Sequence, residues 1–567
     1  MIYAETEAMA MDYKQYITEI EKQLHNMSEN EKDQWIYDQA RIINEEKRQD
    51  FLDSLMGKKM SAAELTPEEI NDWCCQVEEG EICLESSSYE SYQEGAWDSD
   101  WITEYHDTQH AMPHLVKVIN ACREMVMLSE YKTVFPLLDR ICRLEFPVDP
   151  DEEYFWDDEV ELLTLEDLVR EELVSINFRE LSLCLLYSCY QTHKGKNRIN
   201  LINEYLTWDM CKNISVTDIF SFGPEQIKDE DSFMQEWCIF LQQVHGDRTA
   251  ELLTDACIYL GGDSFLLETA QANIEIHPSL YLQYCERKYK CGEYKACIET
   301  AREAVNRLDK DKAIRADLAD LAIHAARESG DMETMEQFYF DAFYSQPNAW
   351  HLLRLYQLND AAVLTRALTR VCGMNPAPFS GNQGSHELRE AEITDKDHQT
   401  IYRFLLGDYE EILEHCKKNK EYLGWSKGVK NIIIRLLLLC LKEDKKEKTN
   451  AEKNLIENMR HELSFGSTAE ISFDECLSLW RNNYKIAEDH QQMILSWLQD
   501  EIDKRTEAVV GGGFRHSYYK AAELIVVLGS ILEERGTPDG KMNLIEHYKK
   551  LHSRKRAFRS EIDQLAH

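Results

Sequence analysis

The sequence predicts an all-α fold: an elongated α-solenoid of helical hairpins with helical N- and C-terminal modules. Three observations predict it. Only 11 Pro and 23 Gly punctuate 567 residues rich in Leu, Ile, Ala, Glu and Lys, too few breakers for an all-β chain of this size. A hairpin pattern recurs, most clearly in KCGEYKACIETAREAVNRL (290–308) and RESGDMETMEQFYFDAFYSQP (327–347). The longest apolar run, IIIRLLLLCL, is too short to span a bilayer and contains Arg435, so it reads as a core helix.

Residues 1–110 form an acidic helical N-terminal module, with 27 carboxylates against 8 Lys and Arg. Helix is expected over 12–56. Within it, Ser28 and Glu31 stand at capping-box spacing, and Trp35, Ile36, Ala40 and Ile43 follow at helical period. A second helix starts at LTPEEINDWCCQV, where Thr66 caps and Pro67 takes the first helical position. Residues 80–101 read as an irregular acidic boundary. Its two tryptophans, Trp97 and Trp101, are expected to fold back onto the first helices.

Residues 111–260 read as helical hairpins with an acidic insertion. MPHLVKVINACREMVMLSEYKTVFPLLDRICRLEFP gives two helices joined at LSEY, and VDPDEEYFWDDEVELL is the insertion. Residues 261–372 hold the repeats. Gly292 and Gly330 stand 38 positions apart, and aligning them matches Cys297 with Met335, Ala301 with Tyr339 and Ala304 with Ala342. Each Gly permits a left-handed turn at a helix end, and the small residues permit close helix approach. LLGDYEEILEHC around Gly407 and LSEYKTVFPLLDRI around Tyr131 are further matches. Residues 373–395 read as a linker loop and 396–567 as a C-terminal helical module.

The Gly, the Ala at 304 and 342, and the closing Pro347 resemble tetratricopeptide repeats. That resemblance implies a solenoid in which the first helix of each pair lines a groove for a protein partner or peptide segment. Carried onto this chain, the groove would present Glu286, Tyr289 and Lys290 from one hairpin and Asp320, His324 and Arg327 from the next. In the C-terminal module, Arg515, Tyr518, Ala521 and Ala522, followed by LEERG and HSRKRAF, resemble the helical region of bacterial SWIM zinc-finger proteins. The family's C-x-C and C-x-H zinc motif does not occur here. The resemblance implies association with nucleic-acid-processing complexes, without a zinc site.

The net charge of −41 repels phosphate backbones, so direct nucleic-acid binding is not expected outside the basic end, KKLHSRKRAFR (549–559). Seventeen scattered Cys, an odd number in apolar helices, read as reduced thiols. MIYAETEAMAMDYKQ has no basic or apolar leader segment. Together these lead us to expect a cytoplasmic protein.

The motifs that carry chemistry are few. In EYHDTQH, His106 and His110 would share a helix face as two zinc ligands must, with Asp107 where the zinc-protease glutamate stands. No third ligand accompanies them, and a pair of exposed histidines is the expectation. Asp149, Asp151 and Glu153 alternate like a calcium loop, but Tyr154 and Val160 occupy its Gly and Glu positions. GGGFRHS (511–517) lacks the P-loop Lys and reads as an interhelical turn. No catalytic residue, metal site or cofactor is expected. The expected function is a non-enzymatic scaffold that binds a partner protein. The alternatives are an accessory subunit of a nucleic-acid complex acting through the basic end, and a metal-dependent hydrolase at His106 and His110.

Overall fold

Helix-start chemistry operates where the sequence places it. Ser28 and Glu31 exchange the two hydrogen bonds of a capping box and open Glu29–Ile42, while Thr66 and Glu69 do the same for Pro67–Glu78. The structure, a computed structural model, describes residues 13–43, 48, 51–52, 65–91, 100–149, 161–376, 389–390, 393, 395–418, 428–443, 448–463 and 473–567. The fold is all-α, with one small sheet. Trp97 and the acidic insertion at 150–160 lie outside the described residues.

The chain divides into two compact units. One comprises residues 1–244 with 251–262, and the other 245–250 with 263–567. In the first, a four-stranded sheet corrects the expectation of an irregular segment over 80–101. Strands β1 (Leu84–Ser91) and β2 (Asp100–His106) pair antiparallel, β3 (Phe146–Asp149) joins β1 in parallel, and β4 (Leu162–Leu163) closes the order β2-β1-β3-β4. Polar cross-strand pairs connect β1 and β2: Ser88 with Thr103 at 3.0 Å and Tyr89 with Glu104 at 2.9 Å. Helices Ala111–Met127, Tyr131–Cys142 and Phe178–Thr192 pack together beside it.

The second unit contains the repeats. Helices Ser279–Lys290 and Tyr294–Arg307 form the first hairpin, and Ile314–Ser329 and Met332–Ser345 the second. Helices Lys396–Leu405 and Tyr409–Lys418 form a later one. All turn through a left-handed glycine, with φ of 76° at Gly292, 75° at Gly330 and 104° at Gly407. In each turn the glycine N–H donates three residues back and the next N–H donates five back, as in Glu293 to Lys288, Asp331 to Ala326 and Asp408 to Arg403. The Tyr131 hairpin in the first unit closes the same way, with Ser129 at φ 62° in the glycine's place. Cys297, Ala301, Ala304 and Ala342 are fully buried between their helices.

A hairpin that the sequence reading lacks lies between these. Ala349–Arg354, continued by a 3-10 turn over Leu355–Leu358, doubles back at Asn359 (φ 47°) into Ala361–Gly373. The described part of the 373–395 segment is tied down. The Ala313 N–H donates to the Arg389 carbonyl at 2.9 Å, Lys312 and Glu390 form an antiparallel bridge, and Ile393 is buried.

The C-terminal helices surround Val429–Leu441, the IIIRLLLLCL helix, which is buried along nearly its whole length. Its Arg435 lies in the interior with Arg505 and Glu523. Arg505 donates to Asn431 at 2.6 Å and Asn458 donates to Glu523 at 3.2 Å. Burial outweighs the attraction of Arg435 and Arg505, and the Glu523 carboxyl is pushed up to about 7.

Candidate functional site

The first helices of the two leading hairpins, Ser279–Lys290 and Ile314–Ser329, pack side by side. This brings the expected face together in part. The Tyr289 and His324 rings meet edge to face, with centroids 6.3 Å apart. Tyr289 also packs on Tyr294 across its own turn at 5.6 Å. Lys290, with 75% of its side chain exposed, pairs with Glu286 one helical turn back at 3.7 Å. Burial pushes the His324 imidazole down. Arg327 is half-buried, and its charge favours the ionised form of the Tyr339 hydroxyl.

Asp320 plays a different part. Its carboxylate accepts from Nη2 of Arg354 and lies 2.9 Å from Nε2 of His351, whose Nδ1 is 2.7 Å from the Gln346 carbonyl. Arg354 and His351 are buried. The Arg354 guanidinium sits between two rings, 5.0 Å from the centroid of Tyr339 and 4.9 Å from that of Trp350. Burial alone would raise the Asp320 carboxyl, but His351 and then Arg354 outweigh it and hold it well below the ordinary range. Asp320 therefore anchors the third hairpin to the second. The sequence reading missed this partner set because it stopped at Pro347. The signal lay just beyond, in NAWHLLR, where Asn348 caps the next helix through the His351 N–H.

His106 and His110 do not share a helix. His106 ends β2, with Nε2 2.9 Å from the Ser87 hydroxyl, and His110 takes a left-handed conformation in the following turn. The helical spacing that suggested two zinc ligands is absent. Asp107 instead accepts from the N–H groups of Ala111 and Met112 at 2.7 and 2.9 Å, which caps Ala111–Met127. Among the described residues no three His, Cys, Asp or Glu side chains cluster as metal ligands. None of the 17 cysteines is in a disulfide, and burial pushes the Cys74 thiol up to about 11.

The glycine-rich turn and the basic end meet. Gly511–Gly513 connect the long Glu488–Thr506 helix, through one π turn, to Tyr518–Glu534. A Cβ at Gly512 would stand 2.5 Å from the Ala508 carbonyl, so the turn requires glycine there. Tyr518 packs edge-on against Phe558 of Arg556–Leu565, and Arg515, His516, Lys555 and Arg556 line one depression.

Among the described residues no helix is long and apolar enough to cross a membrane. No protein-family model matches the chain, and no curated protein matches its sequence.

Proposed function

We propose that the protein is a non-enzymatic scaffold that holds a peptide segment of a partner protein across the first helices of its hairpins. The observation that carries this reading is the contact of Tyr289 with His324 across two successive hairpins. It makes an aromatic contact on a face that also carries the Glu286–Lys290 pair and, on the neighbouring helix, Arg327. Such a face offers stacking area and both signs of charge, which suits an extended or helical peptide. The resemblance to tetratricopeptide repeats points the same way. Asp320 is assigned to the scaffold rather than to the contact, because His351 and Arg354 already occupy it.

The test is affinity capture from the source organism's lysate with wild type and Y289A/K290E side by side, read by mass spectrometry. Lys290 is mostly exposed but Tyr289 packs on Tyr294 and His324, so K290E alone provides the same test should Y289A loosen the hairpins. Arg327 is left intact because its charge acts on the Tyr339 hydroxyl. A partner retained by wild type and lost by the variant is expected. Equal recovery by both proteins would overturn the assignment of this face.

A further inference from the structure

Many cations in this acidic chain are paired with carboxylates. Arg123 pairs with Glu180, Arg140 with Glu78, Arg179 with Asp218, Arg287 with Asp263 and Arg315 with Asp341. At the C-terminal end three cations without such a pair come together. Arg515, Lys555 and Arg556 line one open cavity of about 1040 Å³ together with His516. None of the three has a carboxylate within ion-pair distance among the described residues. The cavity holds a single carboxylate, Glu561. Three like charges around one cavity repel one another, and an anion bound among them would relieve that repulsion.

The backbone adds to the same polarity. Arg556–Leu565 has no side-chain cap, and its first residues, Arg556 and Ala557, line the cavity. Beneath the cations the floor is packed: a Cβ at Gly513 would lie 3.6 Å from Nζ of Lys555, and Phe558 contacts Tyr518 and His552.

We propose that this cavity binds a compact phosphoryl anion, namely pyrophosphate or the diphosphate end of a small ligand. Guanidinium groups match phosphate oxygens in pairs, and two arginines with a lysine suit a group of two or more charges. The surrounding charge favours a small ligand over a nucleic acid. The three cations line one cavity, and a polymer leaving it would run along the surface of a chain with net charge −41.

The experiment is isothermal titration of the full-length protein with sodium pyrophosphate and, separately, with ADP, in phosphate-free buffer at 50 and 200 mM salt. One saturable site is expected, weaker at high salt. R515Q/R556Q should weaken binding by about tenfold or more. K550Q/R554Q removes the same charge beside the cavity without touching its lining and should change affinity less than threefold. K555Q provides the same test should the double variant not fold. ADP binding tenfold tighter than pyrophosphate would place the diphosphate on an organic ligand, and equal affinities would mean that only the diphosphate is read. No saturable binding to wild type would overturn the proposal, as would equal losses in the two double variants. A 20-nucleotide single strand that binds through Arg515 and Arg556 more tightly than either probe would also overturn it, in favour of a polymer.

Discussion

Asp320→Asn tests how the second and third hairpins are held together. The carboxylate serves two buried groups: the His351 imidazole at 2.9 Å and the Arg354 guanidinium, each with a side chain 2% exposed. Asn keeps the shape but removes the charge, and its amide nitrogen must face a donor. Removing one member of a buried ion pair costs about 3–5 kcal/mol. Asp320 itself is 26% exposed, so water can reach the gap, and Arg354 keeps the faces of Tyr339 and Trp350. Both effects place the expected cost near the lower end, about 3 kcal/mol. A chain of two units gives no single unfolding free energy, so hydrogen exchange is the suitable assay. Amides of Ile314–Ser329 and Ala349–Arg354 should exchange about 100-fold faster in D320N, because about 1.4 kcal/mol corresponds to a factor of ten. Those of Tyr518–Glu534 should not change. The acid response gives a second reading. A carboxyl held below its ordinary range in the folded state stabilises that state at pH values above its unfolded pKa, about 4. That stabilisation is lost as the pH falls from there toward the lowered folded value. Wild type should therefore lose protection in these two helices below about pH 4, with this component missing from D320N. Equal exchange in the two proteins at pH 7, or an identical acid response, would refute the reasoning.

Two further outcomes follow from burial. Ala304→Arg places a long cation where a fully buried methyl now touches the facing helix, and should destabilise the first hairpin by roughly 3 kcal/mol or more; an unchanged melting temperature would show that the position is not an interhelical contact. The Glu523 carboxyl is pushed up to about 7 by burial, so wild type should lose stability as the pH rises from about 4 through 7, where the unfolded state ionises first. Glu523→Gln should remove that slope, and parallel melting curves against pH for the two proteins would contradict it.

The hairpins were legible wherever glycine marks the turn, because only a residue without a Cβ adopts φ near 75° without strain. Where another residue takes that conformation the signal weakens. The Ser129 turn was found through the pattern around Tyr131, but the Asn359 turn was not, since its first helix is short and ends in a 3-10 turn. The sheet escaped for a different reason. LESSSYES buries only Leu84 and Ser86, and its later cross-strand partners are hydroxyls and a carboxylate, so no apolar alternation marks it. DWITEYH does carry β-branched and aromatic residues, and it could have argued against helix through His106. The face at Tyr289 and His324 was reachable by aligning repeats. The partners of Asp320 were not, because they depend on how the next hairpin docks. The glycine turn and the basic end were each visible in sequence, and only the packing of Tyr518 on Phe558 makes them one place.

The tie between Ala313 and Arg389 changes how the hairpin array responds to load. An array whose members touch only their neighbours unravels from its ends, one unit at a time, and its stability is a sum of local terms. Here the segment preceding the Lys396–Leu405 helix is clipped back to the loop that precedes Ile314–Ser329. The second and third hairpins are thus enclosed between two fastened points of the same chain. Opening either one strains the clip, and releasing the clip exposes Ile393. This part of the array should yield all at once under tension, as a closed link does, and not peel as an open coil would.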